Sequence, residues 1–477
     1  MLMSRTFDAD SHARFAAISG DFNPMHMDPV AARRTQAGAP VVHGMHSLLW
    51  LLDCIAKTHQ GLQSAAGLKA SFRGVIYVGE RVDAEILELS NSVLRARILA
   101  EGVEAVTASL SFGQRQDVAV PIAVAAAAPM APPATPIDLI WNQIADRAGR
   151  LSFATLPSEA ESMFPDAARY CDTRRVAALA CASCLVGMVV PGLHSLFRGL
   201  DVSFCDERAT TNELEYSVEV VDDRFHLVRI AVRASGLFGF VDAFNRIPPI
   251  QQPSIESLIP LISTGEFAAS TALVIGGSRG LGALTAKLIA AGGGRVVLTF
   301  ASGRSEADAV AAEVRKASGE CTVVHYDARQ PAAPQLVDVA NAPTHVYYFA
   351  TPTIYRRKAA LFDSRRFAEF NAFYVAGFLD LVEACHRRRP QGMKVFYPST
   401  VYVESRPAEM TEYAMSKAAG EILCADMQTY LRGIRILARR LPRLATDQTS
   451  SLVPVRTADA LQVMLPIVRE MHQSLQG

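Results

Sequence analysis

The stretch Gly20-Asp21-Phe22-Asn23-Pro24-Met25-His26-Met27-Asp28 places a carboxylate, an amide and an imidazole within the six positions 21–26. The proline ring crowds the backbone before it, so Asn23-Pro24 takes Asn23 out of helical geometry. Asp21 and His26 are therefore expected to turn inward from a fixed loop, where an acid and an imidazole can handle one water molecule between them. The plainer use of the same residues is a capped turn, with Asp21 or Asn23 as N-cap of a helix from Pro29 to Thr35 and His26 solvated.

Downstream, Gly44 to Lys57 reads as a helix with little polar face, because Leu48, Leu49, Leu51, Leu52 and Ile55 cover most of its circumference. Strand patterns follow at Leu68–Phe72, Arg81–Leu89, Val93–Glu101 and Val106–Phe112, with turn residues between them. A buried helix followed by antiparallel strands is an α+β order. Three ordered motifs here, Gly20-Asp-x-Asn-Pro-x-His-x-Asp, Ala39-Pro40-Val41-Val42-His43-Gly44-Met45 and the run Ala70 to Glu80, resemble the signature of the MaoC-like (R)-specific enoyl hydratases. The likeness covers residues 4 to 114. It implies a hot-dog fold with Asp21 and His26 catalytic, Asn23 holding the loop or a thioester, and amides around Gly44 stabilising an enolate at the start of the buried helix.

A domain over residues 1–115 gives way at 116–136 to an Ala- and Pro-rich stretch, read as a linker. Then the chain repeats itself. Gly61-Leu62-Gln63-Ser64 and Gly67-Leu68-Lys69-Ala70-Ser71-Phe72 match Gly192-Leu193-His194-Ser195 and Gly199-Leu200-Asp201-Val202-Ser203-Phe204, with one residue inserted. Both copies follow a long apolar helix and precede strands, in the second copy Glu213–Val221, Phe225–Ala234 and Gly236–Phe244. Residues 137–247 are thus expected to form a second hot-dog in tandem with the first. Before its helix, Leu151 to Asp172 contains Glu159, Glu161 and Asp166 but no histidine, so this copy is assigned a structural role, its share in an acyl pocket left open.

A second Pro-rich passage, residues 248–269, reads as a linker, and from 270 to 477 the pattern changes. A buried-type strand, Thr271–Ile275, runs into Gly276-Gly277-Ser278-Arg279-Gly280-Leu281-Gly282 and an amphipathic helix to Ala291. Strands at Val296–Phe300, Thr322–Tyr326 and His345–Phe349 alternate with helices, the order of a doubly wound parallel α/β Rossmann sheet. A Gly-rich loop between strand and helix turns its amides towards a pyrophosphate. The spacing Gly276, Gly280, Gly282, with Tyr413-Ala-Met-Ser-Lys417 downstream, resembles the short-chain dehydrogenase/reductase family. That resemblance makes Tyr413 the general acid or base and Lys417 the residue that lowers its pKa and holds the nicotinamide ribose. It makes Ser399 the hydroxyl that orients the carbonyl, fourteen residues before the tyrosine and one more than the family's common spacing, with Thr400 the competitor. Two departures stand out: Phe349-Ala350-Thr351-Pro352 replaces the family's Asn-Asn-Ala-Gly, and Tyr374 stands three residues before Gly377 where an asparagine is common.

The second strand ends in Leu298-Thr299-Phe300-Ala301-Ser302-Gly303-Arg304-Ser305 with no acid to hold a ribose 2'-hydroxyl. Ser302, Arg304 and Ser305, with Ser278 and Arg279, instead suit a 2'-phosphate, so NADP(H) is the expected cofactor and NAD(H) the alternative. Asp327 resembles the family's adenine contact, and Arg440-Leu441-Pro442 with Thr446 its cofactor-closing loop.

Composition constrains the partners. The chain has 477 residues, and 47 basic side chains balance 47 acidic ones, so no global charge draws it to nucleic acid or a membrane surface. The one Cys-x-x-Cys, Cys181 and Cys184, sits among Ala, Leu and Val and has no second ligand pair, so it reads as core thiols and no metal is expected. Val176 to Phe197 lacks charge but is broken by Pro191-Gly192, which favours a buried helix over a membrane span. Without the apolar core of a signal peptide at its start, the expected location is cytoplasmic. The expected assembly is a homo-oligomer, a dimer or tetramer.

The two resemblances share an intermediate: a 3-hydroxyacyl thioester is both the hydration product of a 2-enoyl thioester and the reduction product of a 3-oxoacyl thioester. The expected function is a bifunctional enzyme acting on acyl-CoA or acyl-carrier-protein thioesters. The alternative is a reductase of a non-thioester carbonyl, with the hot-dog pair as an acyl-carrier docking or binding module.

Overall fold

The computed structural model describes residues 3–115, 128–154, 157–206, 212–234, 236–356, 358, 360–449 and 455–473. Two compact units divide the chain, the first essentially residues 1–248 and the second essentially 249–477.

In the first unit, apolar alternation lays down ten strands: β1 (Met3–Thr6), β2 (Ala65–Phe72), β3 (Arg81–Leu89), β4 (Val93–Ala100), β5 (Val103–Phe112), β6 (Ala148–Ser152), β7 (Ser195–Phe204), β8 (Glu213–Asp222), β9 (Leu227–Ala234) and β10 (Leu237–Asn245). They form one sheet in the order β1-β3-β4-β5-β2-β7-β10-β9-β8-β6, two five-stranded halves that mirror each other about the β2–β7 seam. The repeat explains the seam. Equivalent positions pair reciprocally, Gly67 with Ser203 and Ser71 with Gly199, and the central pair joins Lys69 to Asp201 through a 2.9 Å ion pair. A Cβ at Gly199 would overlap the Ala70 carbonyl, so close backbone approach requires glycine there.

Each half wraps a buried helix. Gly44–Thr58 buries nearly every side chain from Met45 to Ala56, as its all-round apolar sequence dictates. The helix Thr173–Cys184 continues as a π-turn over Leu185–Val189 and stops at Pro191, with Cys181 and Cys184 in the core. Among the described residues, no helix is long and apolar enough to cross a membrane. Among the elements that went unread in the sequence are β1, β6 and the helices Ala9–Ser19, Pro157–Met163 and Pro165–Cys171. Residues 116–127 of the expected linker lie outside the described residues. The remainder is not free chain, since Met130 bridges to Leu151 at the sheet edge.

The second unit carries six parallel strands, β11 (Thr271–Ile275), β12 (Arg295–Phe300), β13 (Cys321–His325), β14 (His345–Tyr348), β15 (Met393–Thr400) and β16 (Ile434–Leu441). Their order, β13-β12-β11-β14-β15-β16, reverses direction next to β11, which opens a crevice at the carboxyl ends of β11 and β14. The expected linker 248–269 is largely part of this unit, because Ile255, Leu258, Ile262 and Phe267 are buried in its core.

Candidate active sites

In the first unit the quoted stretch is a loop between two helices. Gly20 closes Ala9–Ser19 in the left-handed region, with φ +75°, and Asn23 caps the short helix Pro24–Met27 by accepting from Met25 N at 3.0 Å. Asp28, rather than Asp21 or Asn23, caps the helix at Pro29, which is Pro29–Ala32. Asp21 is thereby free to face inward, and it is 2 % exposed.

Two donors hold its carboxylate: Asn23 N to Oδ1 at 3.1 Å and Ser183 Oγ to Oδ2 at 2.7 Å. Burial still raises its pKa, against the opposing pull of His26, Ser183 and Asn23. His26 Nδ1 lies 2.7 Å from the Val41 carbonyl. A carbonyl only accepts, so Nδ1 carries the proton and Nε2 presents its lone pair. Burial lowers the His26 pKa despite Asp21. The site thus holds an oriented neutral imidazole beside a desolvated carboxyl group.

The side-chain amide of Asn23 is engaged with backbone carbonyls. Its Nδ2 donates to the carbonyls of Gly187 at 2.8 Å and of Gly192 and Leu193, each at 3.3 Å. Of the two roles expected for it, the structure shows the loop-holding one, and the anchor is the second half of the sheet. Ser183 and Gly187 also belong to that half, and a Cβ on Gly187 would overlap Asp21 Oδ1. The copy assigned a structural role, with its share in an acyl pocket left open, therefore supplies a donor and a close-packed backbone to the acid. The signal that could have found them was the repeat itself, which implies a twofold seam and a helix from each half beside it. Gly44 begins its helix with no side-chain cap at His43, so its first amides are available as donors, and the Phe72 ring covers it.

Three more histidines line this region. His26 stacks on His43 at 3.9 Å between centroids, and His12 lies 4.7 Å from His43. Nitrogens of His12, His26 and His43 come within 4.8 Å of one another. However, His12 Nε2 faces the His26 carbonyl at 3.1 Å and His43 Nε2 faces the Asp21 carbonyl at 3.0 Å, and the rings stack instead of converging. Burial pushes the His12 pKa down to about 4 and those of His43 and His46 well down, so the group packs as neutral rings.

In the second unit the Gly-rich loop has the shape a pyrophosphate requires. Gly276 has φ +74° and Gly280 φ +54°, and a Cβ on Gly282 would overlap the Gly276 carbonyl. The helix Gly280–Ala291 starts at Arg279 without a side-chain cap, leaving its amides for an anion. Ser278 is buried, Arg279 lies 3.7 Å from Asp447, and Ser302 and Arg304 are exposed, with Arg304 3.5 Å from Asp308. Asp327 is clasped by Arg329, which donates to Oδ1 at 3.0 Å and Oδ2 at 2.7 Å.

Tyr413 and Lys417 share one face of the helix Thr411–Tyr430. Ser399 donates to Glu421, which also takes two bonds from Arg440 at 2.8 and 2.6 Å, whereas the Thr400 hydroxyl accepts from Tyr402 N at 3.2 Å. Adjacent strand residues point to opposite faces, so one of the two had to turn away. Burial raises the Tyr413 pKa above its ordinary value. Lys417 Nζ donates to the Pro398 carbonyl at 2.6 Å and sits 3.8 Å from the Tyr374 ring centroid, and burial pushes its own pKa down to about 7. Tyr374, standing where an asparagine is common, thus covers the ammonium with its ring.

Comparison with known proteins agrees with both halves. Residues 3–109 match the model of the MaoC like domain and residues 270–454 that of short chain dehydrogenase. An (R)-specific enoyl-CoA hydratase from Aeromonas caviae is 38 % identical over 85 residues, 18 % of this chain and 63 % of that enzyme, so the chain spans under two thirds of that relative. Among solved structures, a short-chain dehydrogenase/reductase from Serratia marcescens is 19 % identical with a TM-score of 0.40, covering 44 % of this chain and 92 % of that one. A short chain dehydrogenase from Burkholderia cenocepacia in complex with NADP is 21 % identical with a TM-score of 0.38, covering 42 % and 90 %. The chain joins a MaoC-like domain at its N-terminus to a short-chain dehydrogenase/reductase domain at residues 270–454.

Proposed function

We propose that the protein is a bifunctional acyl-thioester enzyme: an (R)-specific hydratase/dehydratase of 2-enoyl and 3-hydroxyacyl thioesters and an NADP(H)-dependent 3-oxoacyl reductase. The observation that carries the first activity is the pair in one buried loop, Asp21 held by Ser183 and Asn23 N, and His26 with Nε2 left to accept a proton. Similarity to the Aeromonas enzyme supports the thioester substrate and the (R) configuration.

In hydration, Asp21 orients a water molecule and His26 Nε2 takes its proton as the oxygen bonds to C3. The C2–C3 π electrons move towards the thioester, and amides at the start of the helix Gly44–Thr58 favour the enolate. The same proton then returns to C2, so water is added and nothing is left over. Dehydration is the reverse.

In the second unit the Gly276–Gly282 cradle fits a dinucleotide, which when bound supplies the hydride. Ser302 and Arg304 are the groups for a 2'-phosphate. Ser399 is engaged with Glu421, so Thr400, in its place, orients the carbonyl, and Tyr413 gives it a proton. Lys417 is the cation that lies on the same helix face. Reduction followed by dehydration is the direction an NADP(H) preference favours.

The test is crotonyl-CoA hydration by the wild type and by Asp21→Asn, with the configuration of the product assigned. (R)-3-hydroxybutyryl-CoA from the wild type and none from D21N supports the reading. Undiminished hydration by D21N sinks it.

A further inference from the structure

Lys417 is buried, and its Nζ donates to the Pro398 carbonyl at 2.6 Å. Among the described residues no carboxylate pairs with it: Glu421, one turn along the same helix, is bound to Arg440 and Ser399 instead. What surrounds the charge is aromatic. Nζ lies 3.8 Å from the Tyr374 ring centroid, 4.9 Å from that of Tyr397 and 6.0 Å from that of Tyr413. The face of such a ring is electron-rich and attracts a cation, most strongly where water is kept out.

The cage is built from elements on either side of the helix Thr411–Tyr430. Tyr397, on β15, donates to the Tyr374 carbonyl at 3.2 Å, and a Cβ on Gly420 would overlap the Tyr397 hydroxyl, so the helix packs this close only with glycine there. Tyr374 lies in the π-turn Ala372–Gly377, and its buried hydroxyl is hydrogen-bonded to that of Thr351. Thr351 belongs to Phe349-Ala350-Thr351-Pro352, and Tyr374 stands three residues before Gly377. The two departures from the short-chain dehydrogenase pattern therefore meet in one hydrogen bond. An anchor at the far end of the ring fixes its plane, which a face-on contact requires.

We propose that Tyr374 is a positioning residue of the reductase site: the face of its ring, held in place by Thr351, fixes the Lys417 ammonium beside Tyr413. A ring face holds the charge without offering an oxygen acceptor. Pro398 takes one of the three N–H donors, and among the described residues no other acceptor takes the rest, so they serve the ribose hydroxyls of the dinucleotide. The inference rests on the reductase reading of Tyr413 and Lys417.

The titratable groups facing Lys417 are Tyr374 from the π-turn, Tyr397 from β15, and Tyr413, Glu421 and Cys424 from its own helix. Burial keeps the three tyrosines and Cys424 protonated at neutral pH, and Arg440 keeps Glu421 ionised. The amine is the group among them that titrates near pH 7.

The experiment places phenylalanine, then its mono-, di- and trifluorinated forms, at position 374 of the full chain. Fluorine withdraws density from the ring face at nearly constant shape, so packing alone would not respond. The first readout is the Lys417 titration in cofactor-free protein, followed by NMR of [ε-13C]lysine and assigned by loss of the signal in Lys417→Arg. The second is kcat/KM for NADPH oxidation with acetoacetyl-CoA, with crotonyl-CoA hydration as the control. Tyr374→Phe is expected to stay within a few-fold of wild type. Across the fluorinated series the midpoint is expected to fall by about one pH unit and kcat/KM by about tenfold, the scale of a desolvated cation–π contact. Tyr374→Asn is expected to lose at least as much. A flat midpoint in folded proteins overturns the proposal, as does a falling midpoint with constant kcat/KM, or a Y374N as active as Y374F. Should Y374F not fold, fluorotyrosines, which keep the hydroxyl for Thr351, are judged by the same criteria. A midpoint that falls in a protein whose wild type oxidises no NADPH with acetoacetyl-CoA sinks the reductase reading and supports the ring–ammonium contact alone.

Discussion

Ser183 Oγ donates to Asp21 Oδ2 across 2.7 Å, although 162 residues separate them in the chain. The hydroxyl comes from the half of the sheet that has no acid–histidine pair, so the Asp21 carboxylate takes one of its donors from the partner repeat. Ser183→Ala removes a hydrogen bond to a carboxylate, about 1.5–3 kcal/mol. Hydration kcat is expected to fall at least tenfold, with NADPH oxidation in the second unit unchanged. Equal losses in both activities would point to unfolding instead.

Gly187 tests the same contact by crowding. A methyl group there would overlap Asp21 Oδ1, and the π-turn Leu185–Val189 leaves it little room to retreat. Gly187→Ala is expected to abolish measurable hydration and spare reduction, measured side by side on one preparation.

The buried histidines make the first unit acid-sensitive. The folded pKa of His12 is about 4, and those of His43 and His46 also lie below their ordinary value. A group whose folded pKa is depressed takes its proton first in the unfolded chain, so this contribution to stability is complete above about pH 6.5 and is lost as pH falls towards 4. The urea midpoint is expected to drop between pH 7.5 and pH 5. Neither ring nitrogen of His46 has a partner, and its ring stacks on Phe15 at 4.8 Å. His46→Leu is expected to flatten the drop, and an unchanged slope would remove His46 from the account.

In the second unit Thr400 and Ser399 can be separated directly. Thr400→Val removes the hydroxyl proposed to orient the carbonyl, whereas Ser399→Ala only releases Glu421. Acetoacetyl-CoA reduction is expected to fall by about 10²-fold or more in T400V, the scale of a lost orienting donor, and by much less in S399A. The opposite ranking would restore Ser399 to the role expected of it.

Both folds were legible because their patterns are local. The apolar run after Gly44, the strand alternation and the strand–Gly loop–helix at Thr271–Ala291 each sit within a short window. Asp21, His26, Tyr413 and Lys417 were legible for the same reason, each pair lying within one loop or one helix face. Ser183 and Gly187 were not, because they reach the first site only through the pairing of β2 with β7. Ser399 was preferred to Thr400 although it stands one residue beyond the family's common spacing, and which way each strand residue points is not written in the sequence. β1 and the helix Ala9–Ser19 escaped notice since neither shows a long apolar period, yet that helix carries His12 and ends at Gly20.

The central claim is that two activities on one chain share a 3-hydroxyacyl intermediate. The most direct measurement supplies acetoacetyl-CoA with NADPH to the full-length protein and to Asp21→Asn and Tyr413→Phe variants, following cofactor oxidation and crotonyl-CoA together. The account predicts both signals in the wild type, oxidation without crotonyl-CoA in D21N, and neither in Y413F, which still hydrates crotonyl-CoA supplied directly. Crotonyl-CoA hydrated by a wild type that never oxidises NADPH with acetoacetyl-CoA would contradict the shared intermediate.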